Sequence, residues 1–431
     1  MGFLFGAGGA GSQVARLSGV QLQETGYGNV IKIVYGTHKT TAMLIWADGF
    51  FSEKVDSGGG KGGGGKSGGA SYRYYSDIIL AVCEGTILDF GTVWRDKQSF
   101  QYNDKGFTTH RTGSATQDVW PYLTSKYPLA ALNYRGIAYV AATKYRLRDG
   151  AVMGNHSMQV KGIGVSPTPG QQNTLDAHIQ TIINDFITNP RYGAVSADSY
   201  SFTIESAQMH AYCRARSLLI SPVLAEQKEA SAYLEEWLVI ANAAMVWSEG
   251  VLKLLPYADS AYSNSFGSYT PETTIRAHFD SINIGTLIKP IRKNPADCFN
   301  SVKIDCTNRG QDYAKHTQEV KDDTSIRLDG NRPAPKVTME SITTPRVANI
   351  VGRTQLHRGL YIRNSYQIDC FCDNGNDLLE PLDFVTITEP DIGLNSLRCR
   401  IVSIDDTMLD GSDGANMSIL VEEATTGAYN G

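Results

Sequence analysis

The chain has 431 residues, of which 42% are hydrophobic and 19% charged, so it carries enough apolar content for real cores and is no disordered chain. A formal net charge of −5 excludes the overall basic footprint of a nucleic-acid binder. With 43 Gly and 22 Tyr, the composition favours turn-rich β structure and wide protein–protein surfaces, and the length suggests about three domains.

The N-terminus, MGFLFGAGGAG, has a short apolar patch and no basic flank, and it reads as a pliable arm rather than a signal peptide. Gly6 stands where a myristoylation motif needs Ser or Thr. No run approaches the length of a membrane span. Seven Cys without a secretion signal predict a reducing compartment and mostly buried free thiols.

From Gln21 to Trp46 the residues alternate in strand fashion, with Val30–Tyr35 before a turn at Gly36-Thr37. Thr41–Trp46 and Phe50–Val55 read as two strands, and Tyr72–Glu84 as a third. Between them lies Ser57–Gly69, SGGGKGGGGKSGG, in which nine of thirteen residues are Gly. It contains a literal phosphate-loop match, Gly60 followed after four residues by Gly65-Lys66-Ser67. A working loop of that kind needs a buried strand running in and a helix starting at its Lys-Ser. Here Lys54-Val55-Asp56-Ser57 enters, and Gly68-Gly69-Ala70-Ser71 leads into Tyr-rich β-favouring sequence. The tract therefore reads as a long, weakly basic loop that orders only when a partner holds it. Its candidate interface residues are Gly58, Lys61, Gly62, Gly65, Lys66 and Gly68.

Asp77–Glu84 and Thr86–Trp94 read as strands joined at Glu84-Gly85, and Leu132–Tyr145 and His156–Lys161 continue the β character. Ser166–Gly170 is a Pro/Gly-rich boundary. Beyond it, Leu175, Ile179, Ile182, Ile183, Phe186 and Ile187 share one helical face, and Asn189-Pro190 stops the helix. A second helix runs from about Ser231 to Asn242 with Tyr233, Trp237, Ile240 and Ala241 on a stripe that reads as core. Ala243–Trp247 and Val251–Leu255 flank Ser248-Glu249-Gly250 as a hairpin.

Tyr262–Ser268 reads as a polar joint. Strands follow at Phe299–Asp305, Val337–Ile342, Leu360–Phe371, Phe384–Thr388, Arg398–Ile404 and Met417–Glu422, with a helix at Arg346–Leu356 expected to cover one face of a small barrel or sandwich.

Chemistry is sparse. The eight His never fall within four residues of one another, and no HExxH occurs. Cys370-Phe371-Cys372 is too tight for a zinc knuckle and reads as two thiols on one face of a strand. Cys83, Cys213, Cys298, Cys306 and Cys399 show no ligand spacing. The pairs Glu235-Glu236, Asp322-Asp323 and Asp405-Asp406 read as solvated. So do the basic alternations Lys144, Arg146, Arg148 and Arg398, Arg400.

Several segments resemble the central hub of phage tail tips and baseplates, a family that includes the lambda-type tip attachment protein and the tail hub of gene transfer agents. In the N-terminal part these are Gly26-Tyr27-Gly28, Ile33–Gly36, Leu44–Ala47, the Gly/Lys tract, Ala81–Gly85 and Val93-Trp94. Tyr134–Val140, then Ile182–Phe186 with Thr188–Gly193, and finally Glu380–Val385 with Arg400–Ile404 extend it along the chain. The resemblance implies a non-enzymatic, homotrimeric virion protein whose two tube-like β domains per chain make a pseudo-sixfold ring. That ring joins a sixfold tail tube to threefold tip structures and encloses the DNA exit channel. Lambda-type members run on into fibronectin-like and receptor-binding parts, so host recognition is expected to belong to separate fibre proteins.

The combined expectation is an α+β, β-rich multidomain chain in which two tube-like β-barrel domains flank an α+β middle domain. The expected divisions are 1–165 (N-terminal, carrying the loop 57–69), 166–268 and 269–431. Expected partners are two further copies, a tail tube or distal tail protein, a tape measure protein and tip or fibre proteins. No sequence-specific nucleic acid, membrane insertion, metal, cofactor or catalytic residue is expected. The virion tail tip, assembled in host cytoplasm, is the expected location. The competing reading is a tail-associated glycan-binding or cell-wall-degrading enzyme with acidic residues in a cleft.

Overall fold

The computed structural model describes residues 30–55, 71–96, 98–101, 106–148, 151–165, 175–195, 202–371, 376–405 and 417–427. The chain divides into one unit of Met1–Val165 with Val223–Gln227, and a second of Ser166–Pro222 with Lys228–Gly431. Both are rich in strands with a few helices, an α+β fold.

In the first unit β1 (Ile33–Val34), β2 (Thr37–Thr41), β3 (Met43–Val55), β4 (Ser71–Glu84), β5 (Asp89–Arg95), β6 (Gln98–Gln101) and β7 (Thr109–Thr112) precede a short helix α1 (Pro121–Lys126). β8 (Ile137–Arg146) and β9 (His156–Lys161) follow. They form two four-stranded sheets, β3-β4-β8-β7 and β2-β9-β5-β6. Period-two alternation decides the core: Ile78, Leu80 and Val82 of β4, with Val140 of β8, join Phe90, Val93, Met158 and Val160 in one cluster. The opposite face, Ile79, Tyr139 and Ala141, packs under Trp120 and Leu123 at α1. The expected strands Thr41–Trp46 and Phe50–Val55 are not separate: Thr41 ends β2, and Met43–Trp46 and Phe50–Val55 lie within the single β3. Its register shifts at Leu44/Trp46 and Asp48/Phe51, where Gly49 (φ +61°) lets the strand bulge instead of turning.

The second unit opens with β10 (Ala177–His178), α2 (Ile179–Thr188), β11 (Thr203–Glu205), α3 (Ala207–Arg216) and β12 (Leu219–Ile220). After β13 (Val223–Leu224), which pairs with β1 in the first unit's own sheet, come α4 (Ala230–Ala241) and the hairpin β14 (Ala243–Ser248) and β15 (Val251–Pro256). The predicted polar joint is itself a hairpin, β16 (Tyr262–Asn264) with β17 (Gly267–Tyr269). Asn264 Oδ1 accepts the N–H groups of Phe266 and Gly267 and so closes the turn. β18 (Ile275–Phe279), β19 (Lys289–Arg292), β20 (Ser301–Asn308), β21 (Ala314–Lys321), α5 (Asp323–Asp329), β22 (Val337–Thr338) and α6 (Pro345–Tyr361) follow. β23 (Asn364–Cys370), β24 (Phe384–Glu389), β25 (Leu394–Asp405) and β26 (Met417–Glu423) complete the element order.

Six of these strands form one sheet, β18-β24-β25-β26-β23-β19. Alternate residues Ile368 and Cys370, Val385 and Ile387, Cys399 and Ile401, and Met417, Ile419 and Val421 build its core. The strand expected over Val337–Ile342 is confined to Val337–Thr338. The strands expected to form one barrel or sandwich fall into separate sheets, and α6 covers the one that contains β20. It packs on the β20–β21 hairpin, where a Cβ on Gly352 would stand 2.9 Å from Val320 Cγ2, so the missing side chain admits the close approach. α3 escapes the sequence reading because its buried large residues, Met209, Tyr212 and Cys213, make a stripe of a single turn flanked by Gln208, His210, Arg214 and Arg216.

Candidate functional site

The interface loop expected at Gly58, Lys61, Gly62, Gly65, Lys66 and Gly68 lies outside the described residues, as do the N-terminal arm, the boundary at Ser166–Gly170, Cys372 and Asp406. Of the remaining sulfurs, Cys83, Cys213, Cys298, Cys306, Cys370 and Cys399 are buried free thiols. Burial pushes Cys83 and Cys213 up to about 12, which makes them poor nucleophiles and ligands. Among the described residues no group of three or more His, Cys, Asp or Glu is close enough to hold a metal ion.

Two features of the second unit are built to meet something else. The first is a charged cleft of about 190 Å³ lined by Lys253, Arg276, Glu380, Asp383 and Arg400 among others. β15 supplies Lys253, whose Nζ donates to both Glu380 oxygens at 2.7 Å, and Ser248 donates to the same carboxylate. Burial raises the Glu380 carboxyl, and these bonds outweigh it, leaving the group lowered and ionised. Burial dominates at Asp383 and raises it, although the N–H of Glu380 donates to its Oδ2 at 3.0 Å and Arg276 stands 3.7 Å away. A carboxyl pair pushed in opposite directions is the pattern of an acid and a base. Here Glu380 is held by an ammonium and a hydroxyl, and the cavity falls below the usual size of a small-ligand pocket.

The second feature is the strand edge β14. The hairpin turn at Glu249-Gly250 pairs Ser248 with Val251, so Ser248, Val246 and Ala244 exchange backbone bonds with β15. Met245 and Trp247 therefore turn their backbone groups to the other side, and among the described residues β14 pairs with β15 alone. Trp247 is 60% exposed, with Phe202 against it at 5.6 Å, and Met245 is 39% exposed. The strand carries no charge and no proline to protect this edge.

The segments that carried the family resemblance turn out to be structural locks. Asp185 of α2 accepts from Asn189 Nδ2 at 2.9 Å and from the Tyr192 hydroxyl at 2.6 Å, so the Asn-Asp-Phe and Asn-Pro-Arg-Tyr runs tie off one helix end. Glu380–Phe384 enters β24 through Leu382 at φ +78°, fixed by backbone bonds from Leu382 N–H to Ile401 and from Ile401 N–H to Asp383. Arg398 and Arg400 are not a solvated face. Both guanidinium groups lie over the Phe384 ring, at 3.9 and 4.4 Å, and Arg400 is buried and donates to the Tyr257 carbonyl. Glu236 likewise departs from the solvated reading, being half-buried, raised by burial and bonded to Ser341. Asp322 caps α5 by accepting the Ser325 N–H at 2.7 Å.

His178 and His210, 32 positions apart in sequence, are brought together with ring centroids 5.0 Å apart beside a recess lined by Glu205, Ser206 and Val251. No sequence spacing could have found this pair, because β10 and α3 meet only through the fold.

No curated protein matches the chain. The fold is similar to a chain in the virion of a native gene transfer agent particle, at TM-score 0.61 and 15% identity over 97% of this chain and 90% of that one. A 43 kDa tail protein of prophage MuSo2 from Shewanella oneidensis (TM-score 0.34, 11% identity, 93% and 99% coverage) is a more distant neighbour. So is a tail protein from Neisseria meningitidis (0.38, 13%, 93% and 99%). Residues 229–404 match the family described as putative phage tail protein, which takes in the exposed strand β14 and most of the charged cleft and of the six-stranded sheet. By that match a stretch of the second unit is similar to the putative phage tail protein family.

Proposed function

We propose that the chain is the trimeric hub of a phage tail tip or baseplate, joining a sixfold tail tube to threefold tip structures and enclosing the DNA exit channel. The observation that carries this reading is the fold shared with a gene transfer agent virion chain along 97% of the sequence, rather than over one module. The β14 edge left open toward solvent, with Trp247 on it, suits a part that completes itself in an assembly. In this reading the divisions 1–165, 166–268 and 269–431 act as hub domain, middle domain and hub domain, with tube-like barrels at both ends. The neighbours are two further copies, the tail tube or distal tail protein, the tape measure protein and the tip fibres. DNA passes without sequence-specific contact, which an acidic chain favours. Among the described residues no helix is long and apolar enough to cross a membrane. Assembly takes place in host cytoplasm and the product resides at the virion tail tip. Native mass measurement and cryo-electron microscopy of tails test this. A ring of three copies at the tail end is expected, and a stable monomer that binds or cleaves cell-wall glycan would overturn it.

A further inference from the structure

The second unit carries a groove that neither the cleft nor the β14 edge explains. It measures about 650 Å³ and lies between β19, the last turn of α6, the start of β23 and Val239 of α4. Four cations line it, Arg292, Lys293, Arg358 and Arg363, against one carboxylate, Glu422. In a chain with 44 acidic and 39 basic residues, such a local excess is opposite in sign to the whole.

Lys293 and Arg363 are positioned without being neutralised. Lys293 Nζ donates to the Gly359 carbonyl at 3.2 Å, and Arg363 Nε to the Leu360 carbonyl at 2.9 Å. Both thus cap the C-terminal turn of α6 while keeping their charge. The helix end supplies only about half a negative charge in return. Arg358 reaches Glu422 Oε1 at 3.3 Å and lies over the Tyr257 ring, so one carboxylate offsets one of the four. Between the cations two aliphatic side chains face outward, Ile291 at 50% and Val239 at 47% exposure.

We propose that this groove docks an acidic peptide segment of a partner protein, with carboxylates on the arginines and apolar side chains on Ile291 and Val239. Charge complementarity selects the anion, and fixed guanidinium forks favour planar carboxylates. The apolar floor distinguishes a peptide from a nucleic acid, because among the described residues no aromatic ring lines the groove for bases to stack on. Pro290 on β19 removes a backbone donor, so recognition rests on side chains rather than on a full added strand. The inference stands on the groove alone and does not depend on the hub reading.

The test uses the purified full chain and a fluorescent twelve-residue peptide of alternating Glu/Asp and Leu, read by anisotropy. Saturable binding is expected, weakening steadily as salt rises and falling by about tenfold or more in the Arg292→Ala/Arg363→Ala variant. Ile291→Ser weakens it further at unchanged salt dependence. All three positions are exposed, and a melting curve like that of the parent chain verifies the fold of each variant. Three results overturn the proposal: equal binding of the same peptide with Lys in place of Glu/Asp, unchanged binding by the double-arginine variant, or tighter, arginine-dependent binding of a single-stranded oligonucleotide of the same length.

Discussion

Asp176 and Arg309 stand 133 positions apart and meet as an ion pair whose side chains are only 3% and 12% exposed. Ser221 donates to Asp176 Oδ1 at 2.6 Å and Thr343 to the same oxygen at 3.0 Å, while Arg309 also donates to Thr343 at 2.7 Å. Four segments of the second unit are thereby fixed by one carboxylate. Removing one partner leaves an uncompensated buried charge, so Asp176→Ala is expected to cost about 3–5 kcal/mol. Adding Arg309→Leu should recover part of that loss, and urea unfolding of the single and double variants measures the coupling.

Gly49 and Asp77 are coupled in the first unit. A Cβ on Gly49 would stand 2.7 Å from Asp77 Oδ2 and 2.8 Å from the Tyr127 hydroxyl, at a φ of +61° that L side chains rarely adopt. Gly49→Ala should destabilise by about 1–3 kcal/mol. Burial alone would raise the Asp77 carboxyl, but the Lys144 N–H at 2.8 Å and the Tyr122, Lys126 and Tyr127 side chains outweigh it and leave it lowered. Its contribution is therefore present above the unfolded carboxylate value near 3.9 and lost as pH falls below that through the lowered folded value. Acid unfolding of Asp77→Asn should show a flatter profile over that range.

Burial lowers His178 to about 4, with His210 and Arg214 adding to the effect, and burial and Arg214 lower His210 as well. Among the described residues neither Nδ1 has a hydrogen-bond partner. Between about pH 6.5 and 4 the unfolded chain takes up protons that the folded chain refuses, so stability falls as pH drops. Unfolding midpoints at pH 7 and 5 should differ less in His178→Gln than in the parent chain. His156, lowered to about 4 in the first unit, leaves part of the slope in place.

Trp247 tests the β14 edge. Trp247→Ser should leave the isolated chain within about 1 kcal/mol of the parent, because the side chain is mostly in solvent. If the edge is an assembly contact, incorporation into tails should fall by roughly thirtyfold, corresponding to about 2 kcal/mol for an interface anchor. Met245→Lys should act in the same direction by placing a charge on the open edge. Quantitative electron microscopy of assembled particles reads both.

The Gly/Lys tract gives a further test. Lys66→Ala should leave assembly intact, and ATP should not raise the melting temperature, since a bound nucleotide would stabilise the folded state in proportion to its occupancy. Deleting Gly58–Gly69 should impair particle formation if the tract reaches a neighbour, and particle yield measures it.

Much of the fold was legible wherever one periodicity dominated a segment. The stripe Ile179, Ile182, Ile183, Phe186 with Asn189-Pro190 after it names a helix and its end, and β26 shows its alternation in Met417, Ile419 and Val421. Elements whose order comes from contacts were not legible. α1 is six residues long and is held by Trp120, Leu123 and the Asp77 network rather than by any helical pattern of its own. β3 looked like two strands because a bulge and a turn both favour Gly, and only pairing with β4 separates them.

The sequence by itself determined the β-rich α+β class, the placement of most strands and the resemblance to phage tail proteins, because these rest on local pattern and on runs such as Glu380–Val385. It did not determine which side chains meet. Arg398 and Arg400 read as a solvent-facing pair until Phe384 was placed beneath them, and His178 became a neighbour of His210 only when β10 and α3 packed. The reason is physical: hydrophobic period encodes which face is buried, whereas the partner of a charge is set by residues more than a hundred positions away, as between Asp176 and Arg309.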